Sequence, residues 1–203
     1  MVKESPWRVI QDLAGEPAEN MAKDEGLARQ VFESGLPPTL RVYGWKKPAI
    51  SLGRRQQAGD LPSDLLREKL PLVRRPTGGG AVVHDVEEVT YCLAASRSDI
   101  PAGVSLREIS GLIHRWFRDF LCGKNVVGWN ELSVVEQGLH RAAPLCFSAP
   151  TQGDLIYRGR KAAGAALRVW REGILIQGSI QGLPVKRSQW IELFALLTER
   201  GFK

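Results

Sequence analysis

The feature that most constrains this chain is three consecutive glycines, Gly78-Gly79-Gly80, set between the apolar pair Leu72-Val73 and the apolar run Ala81-Val82-Val83. Short apolar runs beside glycine read as strands, and a triple glycine between them strips every Cβ from one stretch of surface. A ligand can approach the main chain there, and amide N–H groups are left to bind oxygen atoms. Arg74 and Arg75 add fixed positive charge immediately before Pro76-Thr77 and the glycines. Together these suit an anionic or carbonyl-bearing ligand with a slender apolar portion. The run is not a phosphate loop of the Gly-x-x-x-x-Gly-Lys-Ser/Thr type, and no Gly-x-Gly-x-x-Gly opens a helix here. Taken bare, a triple glycine is more often a tight hairpin turn with solvated arginines.

The chain around the turn supplies both helices and strands. Asn20 is expected to cap a helix running to about residue 34, with Met21, Ala28, Val31 and Phe32 at helical spacing, stopped by Gly35 and Pro37-Pro38. Strands are expected at 39–43 and 49–52, then a basic loop at 54–59, a short helix opened by Ser63, and a strand at 88–94. Ser105 and Glu108 form a capping box for the strongest helix, whose apolar stripe is Leu106, Ile109, Leu112, Ile113, Trp116, Phe117 and Phe120. Further strands fall near 133–136, 145–147, 154–157 and 174–176. A last helix, capped by Ser188 and carrying Ile191, Phe194 and Leu197, ends at Gly201. The residues before Asn20 read as a short lead, and 159–166 as a small-residue loop. Short turns rather than helical crossovers join most strands, so the expected fold class is α/β (α+β), a mixed, largely antiparallel sheet flanked by helices. It is expected to form one domain over residues 1–203.

Composition removes several function classes. A hydrophobic fraction of 43% is enough for a core, and the net charge of +6 favours acidic partners. The basic residues are scattered as pairs, such as Arg54-Arg55 and Arg160-Lys161, without a dense stripe or interleaved aromatics, which argues against nucleic acid. The N-terminus has no apolar signal region and no stretch approaches the ~18 apolar residues of a membrane span, so the expected location is the cytoplasm. The cysteines, Cys92, Cys122 and Cys146, are odd in number and form no Cys-x-x-Cys, which argues against a disulfide framework or a zinc site. No metal is expected.

In context the glycine turn is more specific. The string RRPTGGGAVVH at 74–84, followed by Glu87-Glu88-Val89-Thr90-Tyr91, strongly resembles the acyl-binding signature of the lipoate ligase, octanoyltransferase and biotin ligase superfamily. Residues 20–25 resemble that family's first helix, 40–45 with 51–56 its next hairpin, and 159–164 its lysine loop. The resemblance runs from about Asn20 to Ile180. It implies a biotin/lipoate ligase-like catalytic domain with the acyl chain in a tunnel beside the glycine turn. The substrate-binding residues it implies are Arg75, Thr77, Gly78, Gly79, Gly80, Ala81, Val82, Val83, His84 and Gly164. His84 by itself would more often be a satisfied structural histidine. The chain ends soon after Gly201, so no C-terminal accessory domain is expected.

Two residues point to the chemistry. A buried lysine among small residues can polarise a thioester carbonyl, steady an oxyanion or bind a phosphate, and Lys161 matches the lysine that contacts the acyl group in this family. Cys146 stands fifteen residues before Lys161, an arrangement similar to the nucleophile position of one octanoyltransferase group. A thiolate there can accept an octanoyl or lipoyl group from acyl carrier protein and pass it to a lysine of a lipoyl domain or glycine-cleavage H protein. An ammonium close to a thiol favours the thiolate. Cys92 and Cys122 are expected to be small core residues. Two alternatives stay open. The transferases tend to carry arginine where Gly80 stands, so Gly80 and the His84-Asp85 pair look more like an ATP- and Mg²⁺-dependent lipoate ligase. Ala165-Ala166-Leu167, where relatives often have serine, alanine and glutamine, allows a non-catalytic acyl-binding module. The transferase needs no cofactor.

Overall fold

The computed structural model describes residues 7–100, 103–105, 108–137, 144–185, 189–190 and 192–194. Its framework is a seven-stranded sheet in the order β1-β2-β6-β10-β9-β8-β7. The strands are β1 (Arg8–Gly15), β2 (Thr39–Trp45), β6 (Val89–Ser96), β7 (Leu132–Val134), β8 (Leu155–Tyr157), β9 (Arg160–Val169) and β10 (Gly173–Ile180). Only β1 and β2 run parallel; every other neighbouring pair is antiparallel. The mixed, largely antiparallel sheet expected from the sequence is therefore the observed one.

Alternation along β6 shows why the sheet is covered on both faces. Tyr91, Leu93 and Ala95 join a cluster with α3 (Ile109–Gly123) through Ile113, Phe117 and Leu121. The intervening Cys92 and Ala94 join Met21, Leu27, Ala28 and Val31 of α1 (Pro17–Glu33) on the other face. A strand buried on both faces reads as a continuous apolar run, which β6 does. Trp190, Leu193 and Phe194 pack on the α3 side. The rest of the expected last helix, with Ser188, Ile191 and Leu197, lies outside the described residues, as does Leu106.

Two helix starts differ from expectation. α1 begins at Pro17, whose missing N–H suits a first helical position, so the cap falls to Glu16 and Asn20 lies inside the helix. Asn20 is fully buried and donates to the Gly44 carbonyl instead, at 3.0 Å. α3 starts at Ile109, with Glu108 as the cap residue and no side-chain capping bond.

A smaller sheet carries the glycine turn. Its order is β4-β3-β5, with β3 (Ala49–Leu52) in the middle, β4 (Leu72–Arg74) parallel to it and β5 (Val82–His84) antiparallel. The turn is thus no hairpin: it carries the chain from one side of β3 to the other. The short helix α2 (Ser63–Arg67) contributes Leu65 to a third cluster beneath this sheet, with Ile50, Leu52, Leu61 and Ala81.

Three expectations were displaced by tertiary pairing. The residues read as a lead form β1. The residues read as a lysine loop form β9, whose small side chains have little strand preference of their own but pair with β10 along seven positions. Arg158 and Gly159, both at positive φ, make the two-residue turn from β8 into β9. Residues 145–147 are not a strand. Leu145 makes an isolated parallel bridge with Ala81, and Cys146–Ser148 form a single 3₁₀ turn.

Candidate functional site

Arg75 organises the glycine turn from within. Its guanidinium is buried and donates to the Ser51 carbonyl at 2.9 Å, the Ser51 hydroxyl at 3.3 Å, the Gly80 carbonyl at 2.7 Å and the Gly78 carbonyl. The turn therefore points two of its carbonyls at its own arginine, whereas the sequence suggested only free amides. Gly79 sits at φ +85°, a left-handed conformation that favours glycine. Gly53, at the end of β3, allows the crossing: a Cβ there would lie 2.0 Å from the Gly79 carbonyl oxygen. Burial pushes the Arg75 pKa down to about 10, and the negative charge of a Cys146 thiolate works against that fall. The guanidinium still holds its charge at neutral pH.

Cys146 is hung from the turn by backbone. Its N–H donates to the Ala81 carbonyl at 2.7 Å, and Ala81 N–H donates to the Pro144 carbonyl at 2.8 Å. The Gln56 amide adds a second bond to Pro144, at 2.8 Å. Ala81 thus docks the cysteine segment onto the start of β5. Pairing of β8 with β9 brings Lys161 to the same place from the other sheet. Lys161 Nζ is 3.5 Å from Cys146 Sγ, 2.9 Å from the Cys146 carbonyl oxygen and 2.7 Å from Asp154 Oδ2. Its side chain is 2% exposed, and that of Asp154 5%, so the ion pair is shielded from water. Gly164 makes room for it: a Cβ there would lie 2.5 Å from Lys161 Cε and 2.7 Å from Nζ.

These elements enclose a pocket of about 360 Å³, counting its open mouth. Met21, Tyr43, Trp45, Val82, Ala165 and Ala166 give it apolar walls. Ser51, Arg75, His84, Thr90, Cys146, Gln177 and Ser179 give it polar points. Of the residues singled out in the sequence, Arg75, Val82, His84, Cys146 and Gly164 line it. Lys161 reaches it through the Cys146 sulfur. Thr77 stands one step back, donating from Oγ1 to Gln177 Oε1 at 2.8 Å. Val83 faces away, because alternation along β5 sends Val82 and His84 inward and leaves Val83 37% exposed.

His84 is fully satisfied, as its type most often is. Nδ1 lies 2.6 Å from Glu88 Oε1, Nε2 lies 2.7 Å from Ser51 Oγ, and the ring stacks on Trp45 at 3.8 Å. Cys92 is fully buried, its thiol pushed well up by burial and by the Asp24 carboxylate, and Cys122 is buried in the core. Among the described residues no three His, Cys, Asp or Glu side chains are gathered to hold a metal ion, and no helix is long and apolar enough to cross a membrane.

Sequence reasoning missed several residues that hold the site. Asp154 appeared only as the start of a strand, although a carboxylate seven positions before a lysine across a tight hairpin invites pairing. Ser51, Gln177 and Asp24 left no such trace. Gln177 Nε2 donates to Asp24 Oδ2 at 2.7 Å. Asp24 also accepts from the Tyr43 hydroxyl at 2.7 Å and from Arg41 Nη1 at 2.6 Å. This buried network ties α1, β2 and β10 to Thr77 in the turn. Behind Lys161, His114 Nδ1 contacts the Gly153 carbonyl at 2.5 Å and Nε2 lies 3.1 Å from the Tyr91 hydroxyl. Burial lowers the His114 pKa to about 4, so the ring is neutral at pH 7. A carbonyl can only accept, so Nδ1 carries the hydrogen and Nε2 accepts from Tyr91.

Comparison with known proteins agrees with this architecture. The octanoyltransferase LipM of Halalkalibacterium halodurans is 34% identical over 96% of this chain and 72% of its own length. That of Bacillus subtilis is 32% identical over 98% and 73%. Among solved structures, a putative lipoate protein ligase from T. acidophilum with bound lipoic acid superposes with a TM-score of 0.69 at 19% identity, covering 97% of this chain and 84% of that one. Lipoate-protein ligase A bound with ATP gives 0.65 at 21% identity, covering 87% and 66%. At those identities the two structures speak for the fold alone. Residues 16–181 match the lipoyl protein ligase A/B catalytic domain, and the chain belongs to that family.

Proposed function

We propose that this chain is an octanoyltransferase of protein lipoylation, moving an octanoyl group from acyl carrier protein through a Cys146 thioester to a lysine of a lipoyl domain or H protein. The observation that carries the reading is the contact of a shielded lysine ammonium with a cysteine sulfur, 3.5 Å apart, where the cysteine lines a pocket with apolar walls. The likeness to octanoyltransferases, over 96–98% of this chain and 72–73% of theirs, supports the choice of acyl group.

Each residue has a role that follows from its surroundings. The apolar walls take the alkyl chain, whose burial is worth about 0.8 kcal/mol per CH₂. Cys146 Sγ, as thiolate, attacks the carrier thioester carbonyl; the new S–C bond forms, the old one breaks, and the carrier thiol leaves with a proton. Lys161 stabilises negative charge on the sulfur and on the passing oxyanion. The acceptor amine then attacks the Cys146 thioester, forming the amide and returning the thiolate. Arg75 holds the turn against Ser51 and supplies fixed positive charge nearby. The net charge of +6 suits acidic carrier and acceptor domains. Neither ATP nor metal enters, and a cytoplasmic location fits these partners.

Incubation with octanoyl carrier protein followed by intact mass measurement tests the reading. An octanoyl adduct is expected on the wild type and none on Cys146→Ala. A wild type without an adduct, or a variant with an undiminished one, would count against it. The ligase reading rests on Gly80 and His84-Asp85. The His84 ring is taken by Glu88 and Ser51, which gives that residue a structural reason. Octanoate-dependent pyrophosphate release from ATP is accordingly expected to be absent.

A further inference from the structure

Lys161 has three N–H bonds and three acceptors for them: Asp154 Oδ2, the Cys146 carbonyl and Cys146 Sγ. An ammonium so committed can stabilise a thiolate, but it has no lone pair with which to take a proton. The second half of the proposed transfer needs such a base. A free lysine amine has a pKa of about 10.4, so the acceptor arrives as an ammonium and must shed protons to become an amide. Among the described residues, the pocket offers three other side chains that can titrate besides Cys146, namely Arg75, Tyr43 and His84. Arg75 keeps its proton at neutral pH, and burial pushes Tyr43 further from ionisation. His84 remains, and imidazole is the side chain suited to proton exchange near neutrality.

Its hydrogen bonds define a direction. Glu88 is buried and accepts from the Thr90 and Ser179 hydroxyls and from the Gln181 amide as well as facing His84 Nδ1. An acceptor of that kind places the hydrogen on Nδ1, so Nε2 is the acceptor for the Ser51 hydroxyl at 2.7 Å. Arg75 Nη1 donates to the same hydroxyl oxygen, at 3.3 Å, which orients the Ser51 proton toward His84. Ser51 and His84 both line the pocket that holds Cys146.

We infer that Ser51, His84 and Glu88 form a proton relay for the amine-transfer half of the reaction. The relay rests on the proposed Cys146 acyl-enzyme. One proton of the acceptor ammonium goes to solvent. The amine nitrogen then bonds the thioester carbon and passes a second proton to Ser51 Oγ as the Ser51 proton moves to His84 Nε2. The C–S bond breaks, and its electron pair stays on Cys146 Sγ beside Lys161. The imidazolium, paired with Glu88, returns its proton to solvent. Ser51 is the group that touches the reacting nitrogen, and His84 and Glu88 act through it.

The experiment separates the two half-reactions. Wild type, Ser51→Ala and Glu88→Gln are loaded with octanoyl carrier protein. Loss of the octanoyl mass is then followed after adding either a lipoyl-domain acceptor or hydroxylamine, an amine already unprotonated at neutral pH. In each variant the rate at which hydroxylamine releases the octanoyl group from the loaded enzyme serves as the reference for lysine transfer. Their transfer to the lysine acceptor should fall roughly 10²-fold, the usual size of a general-base contribution. Equal slowing with both amines would mean that the trio merely shapes the pocket, and undiminished lysine transfer would remove the relay. If Ser51→Ala cannot be loaded, Glu88→Gln decides by the same comparison. A wild type that never loads would defeat the acyl-enzyme itself, which is a different failure from a loaded enzyme that does not distinguish the amines.

Discussion

The glycine turn and the Cys146–Lys161 corner lie against one another, yet they are held in contrasting ways. The turn is fixed many times over. Arg75 ties two of its carbonyls to Ser51 of β3, Gly53 lets it cross β3, and Thr77 anchors it to Gln177, Asp24, Arg41 and Tyr43. The corner rests on two backbone bonds between Ala81 and the cysteine segment, one bond from Gln56, and the lysine itself. The glycine turn thus sits on a heavily bonded frame, while the proposed reactive pair is suspended at its edge. Substitutions in the corner should cost activity with little stability, and substitutions in the frame the reverse.

The largest effect should follow loss of the sulfur. Cys146→Ala is expected to lower octanoyl transfer by about 10⁴-fold, equivalent to roughly 5.5 kcal/mol of barrier. Cys146 is partly exposed and no cluster of the core depends on it, so the thermal midpoint should move little. A fall of many degrees alongside the lost activity would show that the corner is part of the frame after all.

Arg41→Met attacks the frame. It removes the cation facing Asp24 and leaves a buried carboxylate with neutral partners such as Tyr43 and Gln177, and breaking such a pair costs about 3–5 kcal/mol. Burial already holds the Asp24 pKa above its ordinary value against the pull of Arg41, so the variant should favour a protonated Asp24. Denaturant unfolding measures the loss. A change under about 1 kcal/mol would show that the network can be dismantled cheaply, and the contrast between the two regions would then be unsound.

How far the sequence reveals each region follows the same division. The turn is legible because its constraints are local: glycines, paired arginines and flanking apolar residues sit within eleven positions and carry the family resemblance. β6 is legible as a continuous apolar run, and α1 and α3 because their burial imposes a period of 3.6. The corner is legible only as spacing. Lys161 stands on a strand rich in alanine and arginine, whose extended form comes from pairing with its neighbours and not from its own preference. Asp154, Ser51 and Gln177 are ordinary strand or loop residues until the sheets bring them to the pocket. β1 was invisible for the same reason: an edge strand whose side chains are mostly half-buried has no strong alternation to betray it.

Gly164→Ala tests the corner at the scale of one methyl group. The added Cβ would overlap the end of the Lys161 side chain at 2.5–2.7 Å and lie 3.1 Å from Asp154 Oδ1. Either Lys161 swings away from Cys146 or β9 shifts, and a misplacement of about 1 Å can cost roughly 10²-fold in rate. Acyl-enzyme formation, followed by mass, should slow by about that factor while the protein stays folded. Normal loading would mean that the lysine has slack the packing does not suggest.

The smallest effect, and the one that best joins the two regions, is set by pH. His114 is held neutral by burial, with its pKa lowered to about 4, whereas an exposed histidine lies near 6.5. Between those values the unfolded chain binds a proton that the folded chain refuses. The contribution of His114 is therefore complete above about pH 6.5 and is lost as pH falls toward 4. From pH 7 to 5.5 the loss should be roughly 1 kcal/mol. His114→Gln keeps a polar side chain between Tyr91 and the Gly153 carbonyl but cannot take the proton, so this part of the pH dependence should vanish from its unfolding free energy. If wild type and variant instead decline in parallel over that range, His114 is not the group responsible. The same pair of proteins reports on the corner, because Gly153 precedes the Asp154 that holds Lys161. A variant that flattens the stability profile and leaves acyl-enzyme formation unchanged would place His114 in the frame. One that also slows loading would extend the corner through Gly153 into the core.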